Sequence, residues 1–292
     1  MKPPIISPFI ALTNLLAASP SFEAGTDLAW GGNSGWISFR HDRPSSPAGA
    51  VLSENGLHGH AWSANLVWIF LGDGSPDNGF SYSNTASDHG VNHDGQGNLS
   101  GYAWSANSGW IHFGWAMPSD PNRPRVNLVT GEFLGYAWSA NTGWIHLGSG
   151  ALIAESMARP DTDADGIADA WEMKHFNNLT IAGVGTDADK DGSSDLDESL
   201  ADTDPDDSSS NLRIVQQNYL ESGTSVMLEF TSSPSRLYRI EQSPSLGIGS
   251  PWMVTPDESF PPSAASTTTK EVEFPAGDTR FFRVRAVVPL QP

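Results

Sequence analysis

The sequence predicts an all-β protein, and three observations carry that prediction. A Trp-rich segment recurs four times between residues 28 and 148. Within each copy, aromatic residues alternate with small ones, the two-residue period of a strand. Glycine (29) and proline (21) are abundant across the 292 residues, which favours many short strands joined by turns.

The four copies are LAWGGNSGWISF at 28–39, HAWSANLVWIFLG at 60–72, YAWSANSGWIHFG at 102–114 and YAWSANTGWIHLG at 136–148. Their Trp pairs are Trp30/Trp36, Trp62/Trp68, Trp104/Trp110 and Trp138/Trp144. Such spacing marks a repeat architecture in which neighbours bury one another's faces. Each copy reads as a β-hairpin, because Asn107-Ser108-Gly109 and its equivalents tolerate the positive φ of a tight turn. Trp110 and His112 then share one face of the return strand, with Ile111 and Phe113 on the other. A further strand precedes the later copies, at Val91 and at Val126. Because the eight Trp residues recur at fixed positions, most of them are expected in the core. The alternative, in which they stay exposed, would make the domain a platform for stacking sugars, a carbohydrate-binding module.

The second segment sets the charge. Residues 155–210 hold 16 acidic and 3 basic residues, in a chain of net charge −19. DTDADGIADAWE places Asp161, Asp163 and Asp165 at loop positions 1, 3 and 5, Gly166 at 6, the Ile167 carbonyl at 7, Asp169 at 9 and Glu172 at 12. DADKDGSSDLDE repeats the pattern with Asp187, Asp189, Asp191, Gly192, Ser193, Asp195 and Glu198. This is the twelve-residue oxygen-ligand loop that Ca²⁺ requires, with Gly for the sharp turn and a terminal Glu able to bind bidentately. At least two Ca²⁺ are therefore expected. Magnesium fits less well, since it keeps several waters and few carboxylates. Helices are limited to short pieces near Ala168–Phe176 and Asp195–Ala201.

The third segment, 211–292, alternates again in LRIVQQNYL, TSVMLEFTS, SRLYRIEQS, TKEVEFP and TRFFRVRAVV. Turn residues between these runs point to a small β-sandwich of the fibronectin/immunoglobulin-like kind. The division expected is therefore a leader at 1–24, a repeat domain at 25–154, a calcium-binding acidic linker at 155–210 and a sandwich at 211–292. Both β domains are expected to fold alone.

The leader, MKPPIISPFIALTNLLAASPS, has a basic residue, an apolar run from Ile5 to Ala18 and small residues after it, as in a secretory signal peptide. No other stretch approaches the length of a transmembrane helix. With no cysteine, disulfides, zinc-thiolate sites and thiol catalysis are excluded. The acidic balance argues against a nucleic-acid partner. No local catalytic motif is present, so a non-catalytic protein is expected.

Three resemblances follow from these motifs. Pro160 abuts the first acidic loop, so the incoming helix of an EF-hand is missing. Residues 159–210, ending in LADTDPDDSSS, resemble thrombospondin type 3 repeats, which implies a structural calcium role and extracellular placement. The whole order is similar to bacterial secreted proteins with GYAW-x-x-N-x-GWI repeats, a calcium linker and a C-terminal sandwich. The leading expectation for the whole chain is a structural or adhesive role at the cell surface, toward a surface polymer or glycan. Trp110-Ile111-His112 and Trp144-Ile145-His146 resemble the Trp-x-His copper motif of MopE-like surface proteins of methane-oxidising bacteria. The alternative they imply is copper scavenging, with His112 and His146 sharing one ion, or with Trp110 and His112 joined by His60. Packing is the simpler reading, because the equivalent positions in the first two copies are Ser38 and Phe70. His89 and His93, four apart on a loop, form a further candidate metal pair.

Overall fold

The computed structural model describes residues 21–40, 49–220, 224–247, 249–256, 258–275 and 280–291. Most of the expected leader, 1–20, lies outside them. Its expected end at residue 24 falls inside a strand, because Phe22–Gly31 is the first strand of the fold and Phe22 is 1% exposed. The folded domain therefore starts by Ser21, whose hydroxyl accepts the Leu52 N–H.

The four copies are four antiparallel hairpins. They pair Phe22–Gly31 with Gly35–Ser38, Gly56–Ser63 with Val67–Gly72, Leu99–Ser105 with Gly109–His112, and Tyr136–Ser139 with Gly143–His146. Each return strand pairs with the outgoing strand of the next hairpin. The last return strand pairs with the first strand, Trp30 opposite His146 and Gly31 opposite Ile145. Eight strands thus close into an antiparallel barrel, which leaves none of them an open edge. At every junction between hairpins the register moves by two residues: Trp62 faces Trp68 within its hairpin and Ser38 across the junction. Four such steps displace the chain by as many residues as there are strands, so the strands tilt and the lumen is narrow.

That lumen is filled by small–large cross-strand pairs. Ala29 faces Ile37, Ala61 faces Ile69, Ala103 faces Ile111 and Ala137 faces Ile145, all at most 3% exposed. Below them lie Leu71, Phe113 and Leu147 with a triad of Phe22, Phe39 and Phe133, whose centroids are 5.6–6.4 Å apart. Val288, near the end of the chain, joins the same cluster. The extra strands are present but differently used. Val91–His93 pairs with two barrel strands at their lower ends, whereas Arg125–Val126 pairs with Phe133–Leu134 and makes a single bridge from Arg125 to Asn98.

The turns show why the repeat carries glycine before its second Trp. Gly35, Gly109 and Gly143 have φ of 68°, 69° and 79°. Val67 holds the same position at 62°, a conformation strained for a β-branched residue.

The acidic segment holds two short helices, α1 (Asp169–His175) and α2 (Asp195–Ala201), as the sequence predicts. Ile167, Trp171 and Ala182 form a small core beneath them. The third segment forms two three-stranded antiparallel sheets. Ser225–Thr231 lies between Ile214–Tyr219 and Thr267–Glu273, and Leu237–Ser243 lies between Met253–Val254 and Phe281–Val287. Both sheets contribute to one cluster of Val226, Leu228, Phe230, Tyr238, Ile240 and Val272.

One buried arginine ties the three segments together. Arg236 donates to the carbonyls of Ser199 (3.0 Å) and Leu200 (2.9 Å) in the last turn of α2 and pairs with Glu54 of the barrel at 3.2 Å. A cation at a helix C-terminus is favoured by the exposed carbonyls and the dipole. Glu54 also receives Arg159 at 2.9 Å.

Candidate metal sites and the aromatic belt

Both acidic loops adopt the same backbone. Position 4 is left-handed in each, at Ala164 (φ 61°) and Lys190 (φ 64°), and position 6 is Gly166 (95°) and Gly192 (98°). These bends wrap the loop around its first carboxylate. Asp161 accepts the N–H of Ala164 at 2.7 Å and of Gly166 at 2.9 Å, and Asp187 those of Lys190 at 2.8 Å and Gly192 at 3.2 Å. In consequence Asp161, Asp163 and Asp165 bring oxygens within 4.8 Å of one another, as do Asp187, Asp189 and Asp191.

The remaining loop positions divide by role. Asp169 turns back to accept the N–H and hydroxyl of Thr162 at 2.7 and 2.6 Å, and Asp195 accepts the Ala188 N–H at 3.0 Å. Position 9 thus ties the loop back to its second residue, beside the carboxylate cluster. Ile167 at position 7 is fully buried against Trp171 and Ala182, so packing sets that backbone; Ser193, its equivalent, is half-buried.

The terminal glutamates carry the strongest signal. Glu172 is 0% exposed, and neither carboxylate oxygen has a hydrogen-bond partner. Burial, with Asp165, Asp163, Asp169 and Asp161 nearby, pushes its carboxyl up to about 7. Glu198 is 1% exposed; one oxygen accepts the Thr203 hydroxyl at 3.0 Å and the other has no partner. Burial pushes it to about 7 as well, with Asp189, Asp191 and Asp195 adding to the shift. One further oxygen in each loop, on Asp165 and on Asp189, is buried without a donor. Buried carboxylate oxygens without donors are costly and rare. A hard divalent cation satisfies several at once, and an all-oxygen set of this size suits Ca²⁺. The second loop also reaches the third segment, since Asn211 donates to Asp191 at 2.6 Å.

The Trp residues overturn an expectation. They face outward: Trp30, Trp36, Trp62, Trp104, Trp110, Trp138 and Trp144 are 37–57% exposed, and Trp68 is half-buried. The two partners of each hairpin lie directly opposite one another. Eight strands enclose a lumen only wide enough for side chains to fill. Ala and Ile fit there and an indole does not, so the Ala/Ile face turns inward and the Trp face becomes a belt.

No shared copper site is assembled from the Trp-x-His motifs. His112 stacks on Tyr102 with centroids 4.4 Å apart, and His146 on Tyr136 at 4.5 Å. The strand Tyr136–Ser139 runs between them, so their backbones are two strand spacings apart, about 9.6 Å. His60 contacts Trp68 and Phe70 instead of approaching His112, and Trp110 lies against Tyr102 and His89. Packing explains these histidines, since each stacks on the tyrosine of its own hairpin. His89 and His93 also separate. His93 is buried, with Nδ1 facing the Ser53 carbonyl and Nε2 accepting the Gly97 N–H, both at 3.1 Å. Among the described residues, the two aspartate triplets are the only groups of three or more His, Cys, Asp or Glu placed to hold a metal.

One feature of the repeat escaped sequence reasoning. The turn asparagines form a ring around the barrel mouth. Asn65 donates to the Asn33 carbonyl (3.3 Å), Asn107 to Asn65 (3.1 Å), Asn141 to Ser108 (2.9 Å) and Asn33 to Thr142 (3.1 Å). Beneath it Ser63 donates to the Ser34 carbonyl and Ser105 to that of Leu66. The recurrence of Asn in all four copies was the available signal.

No protein-family model, no curated protein and no solved structure matches the chain. No helix among the described residues is long and apolar enough to cross a membrane.

Proposed function

We propose that this is an exported, non-catalytic surface protein in which two Ca²⁺ brace the junction between an adhesive β-barrel and a C-terminal β domain. The observation that carries the reading is the pair of buried glutamates, Glu172 and Glu198, whose orphaned oxygens sit beside aspartate triplets in loops of identical backbone. Asp161, Asp163, Asp165 and Glu172 hold the first ion, and Asp187, Asp189, Asp191 and Glu198 the second. Asp169 and Asp195 position their loops. The resemblance to thrombospondin type 3 repeats supports the same structural role, as does the leader. The C-terminal sheets, sharing one apolar cluster, are read as a fibronectin/immunoglobulin-like sandwich. α2 begins within the second loop and ends on Arg236, which pairs with the barrel. Calcium that orders this loop therefore stiffens the path between the two β domains.

Calorimetric titration of the metal-free chain tests the reading. It should show two Ca²⁺ per chain with dissociation constants on the order of 10⁻⁴–10⁻³ M or tighter. Limited proteolysis between 155 and 210 should be faster in chelator than in calcium. Equal proteolysis in both, with no calcium uptake, would overturn the proposal.

A further inference from the structure

Belts of exposed Trp are uncommon on soluble proteins, and large exposed apolar patches mark ligand or partner surfaces. The belt here is not uniform. In the third hairpin, His89 from the preceding connection packs edge-on against Trp110 at 4.9 Å and fills the space beside it. In the fourth, the preceding connection supplies Trp115, which meets Trp144 at 4.8 Å with the planes 67° apart. That arrangement leaves a cavity of about 290 Å³ lined by Trp115, Asn122, Tyr136 and Trp144.

The walls of this cavity are fixed. The Trp115 indole N–H donates to the Tyr136 carbonyl at 2.6 Å, and Tyr136 is stacked on its other face by His146. The Asn122 backbone is engaged too, its N–H donating to Asp120 and its carbonyl accepting from Tyr136. Trp144 remains 50% exposed. The Asn122 side-chain amide is left at the rim without a hydrogen-bond partner among the described residues. No lining residue carries a charge, so a charged ligand would lose water and gain no counter-ion. A pocket of two indoles, a phenol and one amide suits a ligand with a flat C–H face and a hydroxyl edge, which describes a pyranose. Its volume lies near the lower end for small-ligand pockets, the scale of one sugar ring.

We propose that this cleft binds a single pyranose unit of a neutral glycan, its C–H face on Trp144 and its hydroxyls toward Asn122. The site names a ligand class for the adhesive barrel and does not depend on the calcium loops. The four hairpins surround a barrel, so one straight glycan chain cannot lie across all four Trp pairs. Binding is therefore expected at one site per chain.

The test uses the full chain in calcium, titrated with cello-, xylo-, chito- and malto-oligosaccharides while Trp fluorescence and heat are recorded. Choline and an oligogalacturonate serve as cationic and anionic comparisons. Saturable one-to-one binding of a neutral oligosaccharide is expected. Trp144→Ala and Trp115→Ala should each weaken it at least tenfold, Trp144→Tyr should restore part of it, and Trp36→Ala, on the first hairpin, should leave it unchanged. The inference fails if none of the four sugars binds, if choline or the oligogalacturonate binds more tightly, or if Trp36→Ala weakens binding as much as Trp144→Ala. Calcium titration of the same samples reports separately on the metal loops, so one reading can fail without the other.

Discussion

Glu172→Gln should change stability in opposite directions with and without calcium. In the metal-free chain, Glu172 is fully buried, and its carboxyl is raised from an ordinary 4.5 to about 7. Ionising it at neutral pH costs up to about 3 kcal/mol, and solvent reaching the open side of the loop reduces this to roughly 1–2 kcal/mol. Glutamine removes the charge, keeps the shape and offers an amide to the orphaned Asp165 oxygen. The variant should therefore be more stable than the parent by roughly 1–2 kcal/mol in chelator. At about 100 times the dissociation constant, a bound Ca²⁺ adds about 2.7 kcal/mol to the parent. The variant forfeits that contribution at its first site and should be roughly 1 kcal/mol less stable in calcium. Urea denaturation in chelator and in millimolar calcium measures both signs. Destabilisation of equal size in the two buffers would refute the reasoning, since it would make Glu172 a packing residue and not a ligand.

Val67→Gly should stabilise the barrel by roughly 0.5–1 kcal/mol, because relief of the left-handed Val exceeds the added freedom of Gly in the unfolded chain; chemical denaturation in calcium measures it. Ser105→Ala removes the donor to the buried Leu66 carbonyl and should cost about 1–3 kcal/mol in the same assay. His93 is buried with its pKa lowered, by burial above all. Its folded pKa lies below the unfolded 6.5, so its contribution is present above pH 6.5 and is lost as pH falls toward the folded value. Thermal melts of the parent and of His93→Gln from pH 7.5 to 5 should show that the parent loses stability more steeply.

Much of this protein is legible because its information is local. The calcium loops are twelve consecutive residues, and Asp161 to Glu172 sit where backbone bends at Ala164 and Gly166 must put them. The hairpins are equally local, since turn residues and a two-residue period specify both strands and their opposed Trp pairs. α1 and α2 fall where the sequence places them for the same reason. Alternation, however, says only that a strand has two faces. Whether Ala103 and Ile111 or Trp104 and Trp110 form the inside depends on how many strands close and with what stagger. That is decided by contacts such as Trp30 with His146, more than a hundred residues apart in the chain. Once eight strands close with a matching stagger, the lumen admits Ala and Ile and excludes indole, and the same residues that look like core in the sequence become the outer surface.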